Sequence, residues 1–147
     1  MQYKLLNDGG GQRTFAVVLD SGEEVLKTLQ SFVNEQHIAA AQFSAIGALS
    51  DVVLKYFDWE TKKYLNISVV EQVEVASLIG DVATAPSGEP ALHVHIVVGR
   101  RDGAAMAGHL GEAHVRPTLE VVLTESPAHL KKVLDRQTGL ALIRMEN

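Results

Sequence analysis

Apolar and polar positions change period several times along the chain. Between Asp20 and His37 the residues Val25, Leu26, Leu29, Phe32 and Val33 follow i, i+1, i+4, i+7 and i+8. That is one stripe of a 3.6-residue helix. Ser21 and Glu24 fit the Ser-x-x-Glu box that opens such a helix, and Glu23 and Glu24 suit its positive end. His37 would close it, where a cation suits the negative end. The stripe predicts a helix lying flat on a sheet.

Elsewhere the period is that of strands. The segments 2–6, 13–19, 39–49, 51–58, 63–70, 73–82, 91–99, 117–125 and 140–145 are rich in β-branched and aromatic residues or alternate in polarity. Turn residues separate them: Gly9 to Gly11, "WETK", "APSGEP", and "GRRDGAA" centred on Asp102 and Gly103. "SPAHLKKVLDRQ" (126–137) predicts a short helix with Ser126 as N-cap and Pro127 at its first position, ended by Gly139. His129 would sit exposed on it. The expected fold class is therefore α+β: a large, mostly antiparallel β-sheet, one long helix packed on it, and a short C-terminal helix. A chain of 147 residues is read as one domain, 1–147.

Composition narrows the function classes. There is no cysteine, which removes disulfides, thiolate nucleophiles and cysteine zinc sites, and which suits a cytoplasmic location. The start "MQYKLLNDGG" lacks the basic and apolar regions of a signal peptide, and no uncharged run is long enough to span a bilayer, so no membrane association is expected. A net charge of −5 has the wrong sign for general binding to a phosphate backbone. Gly9 to Gly11 lead into a strand, without a following Lys-Ser/Thr, so they are not a phosphate loop. No Gly-x-Ser-x-Gly elbow supports nucleophilic hydrolysis.

The chemistry concentrates in "ALHVHIVVG" (91–99). On a strand, His93 and His95 share one face while Leu92, Val94 and Ile96 take the other. Two such imidazoles can serve one metal ion, and "GHLGEAH" (108–114), reached after the Asp102-Gly103 turn, offers His109 and His114. Three neutral imidazoles with an open fourth position describe a catalytic-type zinc site. The competing reading is of core histidines hydrogen-bonded to backbone. Glu74 and Glu120 interrupt apolar strand patterns; each is an outward residue, an acceptor for a ligand histidine's other N–H, or a candidate catalytic base on a metal-bound water. Arg13 and Arg116 are candidate partners for these carboxylates or for an anionic ligand.

The order "SGEEVLKTLQSFVNEQHIAAAQFSAIGALSDVVLKYFD", "VEVASLIGDV", "LHVHIVVGRRDG", "AGHLGEAHVRPTLEVVL", "TGLALI" resembles the PPC (plants-and-prokaryotes-conserved) domain family, in its prokaryotic single-domain form without an AT-hook. The resemblance implies a compact α/β domain, a homotrimer, and a fold similar to acetolactate decarboxylase, which uses a three-histidine metal site. It implies His93, His95 and His109 as ligands of a zinc ion, with His114 ranked below them. Glu120, with Thr118, matches its Thr-x-Glu strand, and Glu74 matches an acidic position before Ser-Leu-x-Gly. Two departures are Ala107 in the turn before His109 and Asp81 where asparagine is common. Two functions follow. One is a DNA-associated, transcription-related homotrimeric module, with Arg100 and Arg101 as candidate DNA contacts. The other is a zinc-dependent small-molecule lyase or hydrolase. A purely structural metal at a trimer interface is a third reading.

Overall fold

The computed structural model describes residues 1–126, 128 and 130–145. Nine strands and one helix occur among the described residues: β1 (Gln2–Gly9), β2 (Gln12–Asp20), α1 (Val25–Glu35), β3 (Ala41–Asp58), β4 (Lys63–Val69), β5 (Val73–Thr84), β6 (Pro90–Gly99), β7 (Ala105–Glu125), β8 (Lys131–Leu134) and β9 (Ala141–Arg144). They form one mixed sheet, ordered β1-β2-β7-β3-β5-β8-β9, with β4 added to β3 and β6 pairing both β5 and β7. All pairings are antiparallel except the single bridge Thr84–Lys131 between β5 and β8.

The expected α+β class with one long helix is overturned, because the molecule is mostly sheet and the one helix among the described residues is only 11 residues long. The helix does not begin at Ser21. Residues before it are held in a turn, with Gly22 at φ 87° and the N-terminal amine bound by Asp20 at 2.6 Å and Glu23 at 2.9 Å. Glu24 itself is the N-cap, its carboxylate accepting from the backbone N–H groups of Leu26 and Lys27. His37 lies past the helix end at φ 55°.

The short C-terminal helix is also absent among the described residues; Pro127 and His129 lie outside them. Lys131–Leu134 pairs instead with Ala141–Arg144. Asp135 builds the intervening turn by accepting from the Thr138 N–H and hydroxyl and from Arg144. Cross-strand pairing and that side-chain turn outweigh the helix propensity of "AHLKKVLDRQ".

Two predicted strands, 39–49 and 51–58, are one 18-residue strand, β3. Its register against β7 shifts at three places between Gly47 and Leu54, so both long strands bend rather than break. β7 runs 21 residues and absorbs "GHLGEAH" as well as 117–125. The pairings β3–β5, β5–β6, β6–β7 and β7–β3 form a closed circuit. One side of this sheet carries the core. Phe15, Val17 and Leu19 of β2, Val94, Ile96 and Val98 of β6, and Leu119, Val121 and Leu123 of β7 are buried beside Val25, Leu29, Phe32 and Val33 of α1. Phe32 meets Tyr3 and Phe15 edge to face, with ring centroids 5.2 and 5.3 Å away. The helical stripe is core, and the opposite side of β6 is left to carry other chemistry.

Candidate metal centre

Alternation along β6 sends Val94, Ile96 and Val98 into the core and leaves His93 and His95 exposed on the other side. The reading of His93 and His95 as buried core residues does not apply. The turn at Asp102-Gly103 closes through the Gly103 N–H to Arg100 carbonyl bond of 2.9 Å, with Gly103 at φ 83°. It returns the chain so that His109 stands directly opposite His95.

The three rings converge. Their centroids lie 5.1 Å (His93–His95), 5.2 Å (His93–His109) and 5.3 Å (His95–His109) apart. One ligating nitrogen from each lies within 4.8 Å of the others. His109 is also stacked at a tilt on Tyr64 of β4, at 5.2 Å. Its Nδ1 is buried without a hydrogen-bond partner. An orphaned imidazole nitrogen in a cluster of three imidazoles fits a cation that accepts lone pairs.

Burial favours the neutral form of His95 and His109, the form that binds metal. Burial, then the nearby charges of His93, His95, Lys55 and Lys132, lower His109 to about 4. Burial and then His93 lower His95. Asp81, the direct cross-strand partner of His93, places Oδ2 3.3 Å from the His93 Nδ1. Burial would raise the Asp81 carboxyl, but His93 and Lys132 outweigh it and hold it below the usual carboxylate range. Neither Asp81 nor Lys132 is among the site residues expected from sequence. The only signal was Asp81 itself, an acid at a position where the resembled family favours asparagine.

A cavity of about 670 Å³ opens beside the centre. His93, His95 and Asp81 line it; Phe43, Ile79 and Val122 supply apolar surface, and Gln42, Ser44 and Thr124 supply neutral polar groups.

The other candidates lie elsewhere. His114 pairs its Nδ1 with Asp51 at 2.9 Å and is raised by that hydrogen bond, while Ser50 donates to the same carboxylate at 2.7 Å. It is not in the cluster. Glu74 of β5 and Glu120 of β7 flank β3 instead, and both line a separate depression with Ile46 and Gly47. Glu74 is five residues along β5 from Ile79, the partner of His95, about 17 Å of extended strand. Within this chain neither glutamate reaches the histidines. Arg13 pairs with Glu125, not with either glutamate. Arg100 is bound by Glu71 through both Nε (2.6 Å) and a terminal nitrogen (2.5 Å).

The family model described as the Plants and Prokaryotes Conserved (PCC) domain matches residues 6–127. The chain belongs to this family. The PPC chain is similar in structure to the metal-containing protein of Archaeoglobus fulgidus, at 32% identity and a TM-score of 0.83 over 98% of this chain and 97% of that one. It is similar to a plant- and prokaryote-conserved protein of Pyrococcus horikoshii, at 29% identity and a TM-score of 0.84 over 99% of this chain and 96% of that one. A proposed DNA-binding protein of Bacteroides thetaiotaomicron is 27% identical, with a TM-score of 0.85 over 97% of this chain and 96% of that one. Acetolactate decarboxylase of Bacillus subtilis shares the fold only: 11% identity and a TM-score of 0.59 over 86% of this chain and 58% of that one. No curated protein matches the PPC chain. Among the described residues, no helix is long and apolar enough to cross a membrane.

Proposed function

We propose that this PPC-domain protein, a single domain over 1–147 and cytoplasmic, works as a homotrimer and holds one zinc ion on His93, His95 and His109. The ion serves a small molecule seated in the adjoining cavity. The observation that carries this reading is the convergence of three imidazoles, one with an orphaned nitrogen, at the wall of a mostly apolar cavity. The Archaeoglobus relative, described as metal-containing, supports a metal here. When bound, zinc supplies Lewis acidity toward a carbonyl or acyl group, the chemistry of a lyase or hydrolase. The chain's own residues bind and orient: the imidazoles as ligands, Ser44, Gln42 and Thr124 as neutral hydrogen-bonding groups, and Ile79, Phe43 and Val122 as the apolar surface a substrate would cover. With no lysine or arginine among the described residues that line the cavity, and neutral polar groups beside Asp81, a neutral carbonyl compound fits better than a phosphate.

The test is elemental mass spectrometry on tag-free protein, beside a His93→Ala/His95→Ala variant. Near-stoichiometric zinc that is lost in the variant supports the centre and justifies screening carbonyl and acyl compounds. Absence of metal from protein refolded with zinc overturns it.

A second reading, a DNA-associated, transcription-related module, is favoured by the Bacteroides relative described as a proposed DNA-binding protein. The net charge of −5 and the capture of Arg100 by Glu71 weigh against direct contact by one chain. Binding to duplex DNA whose salt dependence falls in Arg100→Ala/Arg101→Ala would support it. No binding at low salt would refute it.

A further inference from the structure

Lys132 is the one buried charged or polar residue found among the described residues, at 8% exposure. A buried ammonium is unfavourable unless its charge and N–H groups are compensated. Two groups compensate it. Its Nζ donates to the Ala91 carbonyl at 3.2 Å and lies 3.4 Å from Asp81 Oδ1. The other oxygen of Asp81 is the one that meets His93 Nδ1. A line of contacts therefore runs from Lys132 on β8, through Asp81 on β5, to His93 on β6. β8 reaches this place because the Thr84 N–H donates to the Leu130 carbonyl at 2.8 Å, docking the C-terminal hairpin at the end of β5.

We propose that Lys132 and Asp81 are positioning residues that fix the His93 ring with Nδ1 protonated, so that Nε2 is the nitrogen offered to a metal. The proposal rests on the reading of the three histidines as a metal centre, and it adds residues that reading does not contain. Lys132 lies beyond the 6–127 span that matches the family, so the device is supplied by the chain's C-terminal hairpin. A neutral imidazole has one N–H and one lone pair, and the group beside one nitrogen decides which is which. A carboxylate beside Nδ1 accepts its N–H and leaves the lone pair on Nε2. Such a partner also restricts ring rotation.

Lys132 acts through Asp81. Asp81 Oδ1 is buried and has no aligned hydrogen bond, so the ammonium 3.4 Å away is what offsets its burial. Without that charge the carboxylate is free to turn its oxygens toward water or toward the three rings. There it would act as a further ligand and close the open side of the site. The pair is neutral overall, so it orients His93 without adding net charge beside a cation.

Two measurements test this. Long-range ¹H–¹⁵N correlation spectra of the metal-free protein at pH 8 read the tautomer of each histidine ring. His93 should carry its proton on Nδ1 in the wild type and shift to Nε2 or a mixture in Asp81→Leu. Zinc affinity by chelator competition should fall about 10- to 100-fold in Asp81→Leu and on the order of tenfold in Lys132→Met. Because Lys132 works through Asp81, the double variant should bind zinc as Asp81→Leu alone does. Asp81→Asn keeps a carbonyl acceptor and should retain the Nδ1 tautomer, which a loss due to general unfolding would not do. If Asp81→Leu does not fold, Lys132→Met and Asp81→Asn carry both readouts. A wild-type His93 protonated on Nε2, or additive losses in the double variant, overturns the proposal. A wild type that takes up no zinc overturns the metal centre instead, while the tautomer still decides whether Asp81 orients His93.

Discussion

His95 and His109 stand directly opposite each other across the β6–β7 pair, with ring centroids 5.3 Å apart. Opposed imidazoles this close repel when both are protonated, and burial adds to that penalty. The arrangement is stable with both rings neutral, and a shared cation turns the same proximity into an attraction.

Removal of His109 should therefore separate it from its near neighbour in sequence. His109→Ala is expected to weaken zinc binding by at least about 100-fold. His114→Ala, which breaks contacts with Asp51 and Glu112 and none within the cluster, should leave affinity unchanged. Isothermal titration with zinc checks both. Equal losses would show that His114 belongs to the centre.

The metal-free protein should lose stability on mild acidification. His109 titrates at about 4 when folded, against about 6.5 unfolded. Between those values the unfolded chain binds more protons, so this stabilisation is complete above about pH 6.5 and is lost as the pH falls toward about 4. His95 acts in the same direction. His114, raised by Asp51, acts oppositely: its contribution is present below about pH 6.5 and is lost as pH rises through its folded value. Thermal unfolding in chelator, from pH 7.5 to 4.5, should show a shallower decline for His109→Leu than for the wild type. Parallel curves would contradict the assignment.

Gly80 is a tight point behind the centre. A Cβ there would lie 2.4 Å from the Phe43 ring and 2.8 Å from the His93 carbonyl oxygen. Gly80→Ala should cost about 1–3 kcal/mol, because backbone as well as a ring must move. It should also weaken zinc binding, since the displaced backbone carries His93. Denaturant unfolding and zinc titration read the two effects. A neutral substitution would mean that β5 and β6 separate easily here.

The aromatic contact under α1 should dominate local stability. Phe32 is fully buried and meets Tyr3 and Phe15 edge to face. Phe32→Ala should cost about 3–5 kcal/mol in urea unfolding, with zinc binding preserved in the folded fraction. Loss of zinc from folded protein would show that α1 supports the site more directly than its place on the core side suggests.

Much of this was legible in the order of residues. The 3.6-residue stripe located α1, and period-two alternation placed His93 and His95 on one face with Val94 and Ile96 on the other. The Asp102-Gly103 turn announced a return strand carrying His109. These readings succeed because they depend on neighbours a few residues apart, where backbone geometry sets which side chains share a face. Local signals also misled. Ser21 and Glu24 match a capping box, yet Glu24 itself caps the helix, accepting from the Leu26 and Lys27 N–H groups, and the helix starts at Val25. "AHLKKVLDRQ" favours a helix, yet Lys131–Leu134 pairs with Ala141–Arg144. The bends in β3 and β7, the placing of Glu74 and Glu120 around one depression away from the histidines, and the approach of Lys132 to Asp81 join residues tens of positions apart. Their pairing depends on which strand edges and apolar surfaces find each other, a long-range choice made by burial of the whole core and not by the propensity of any one segment.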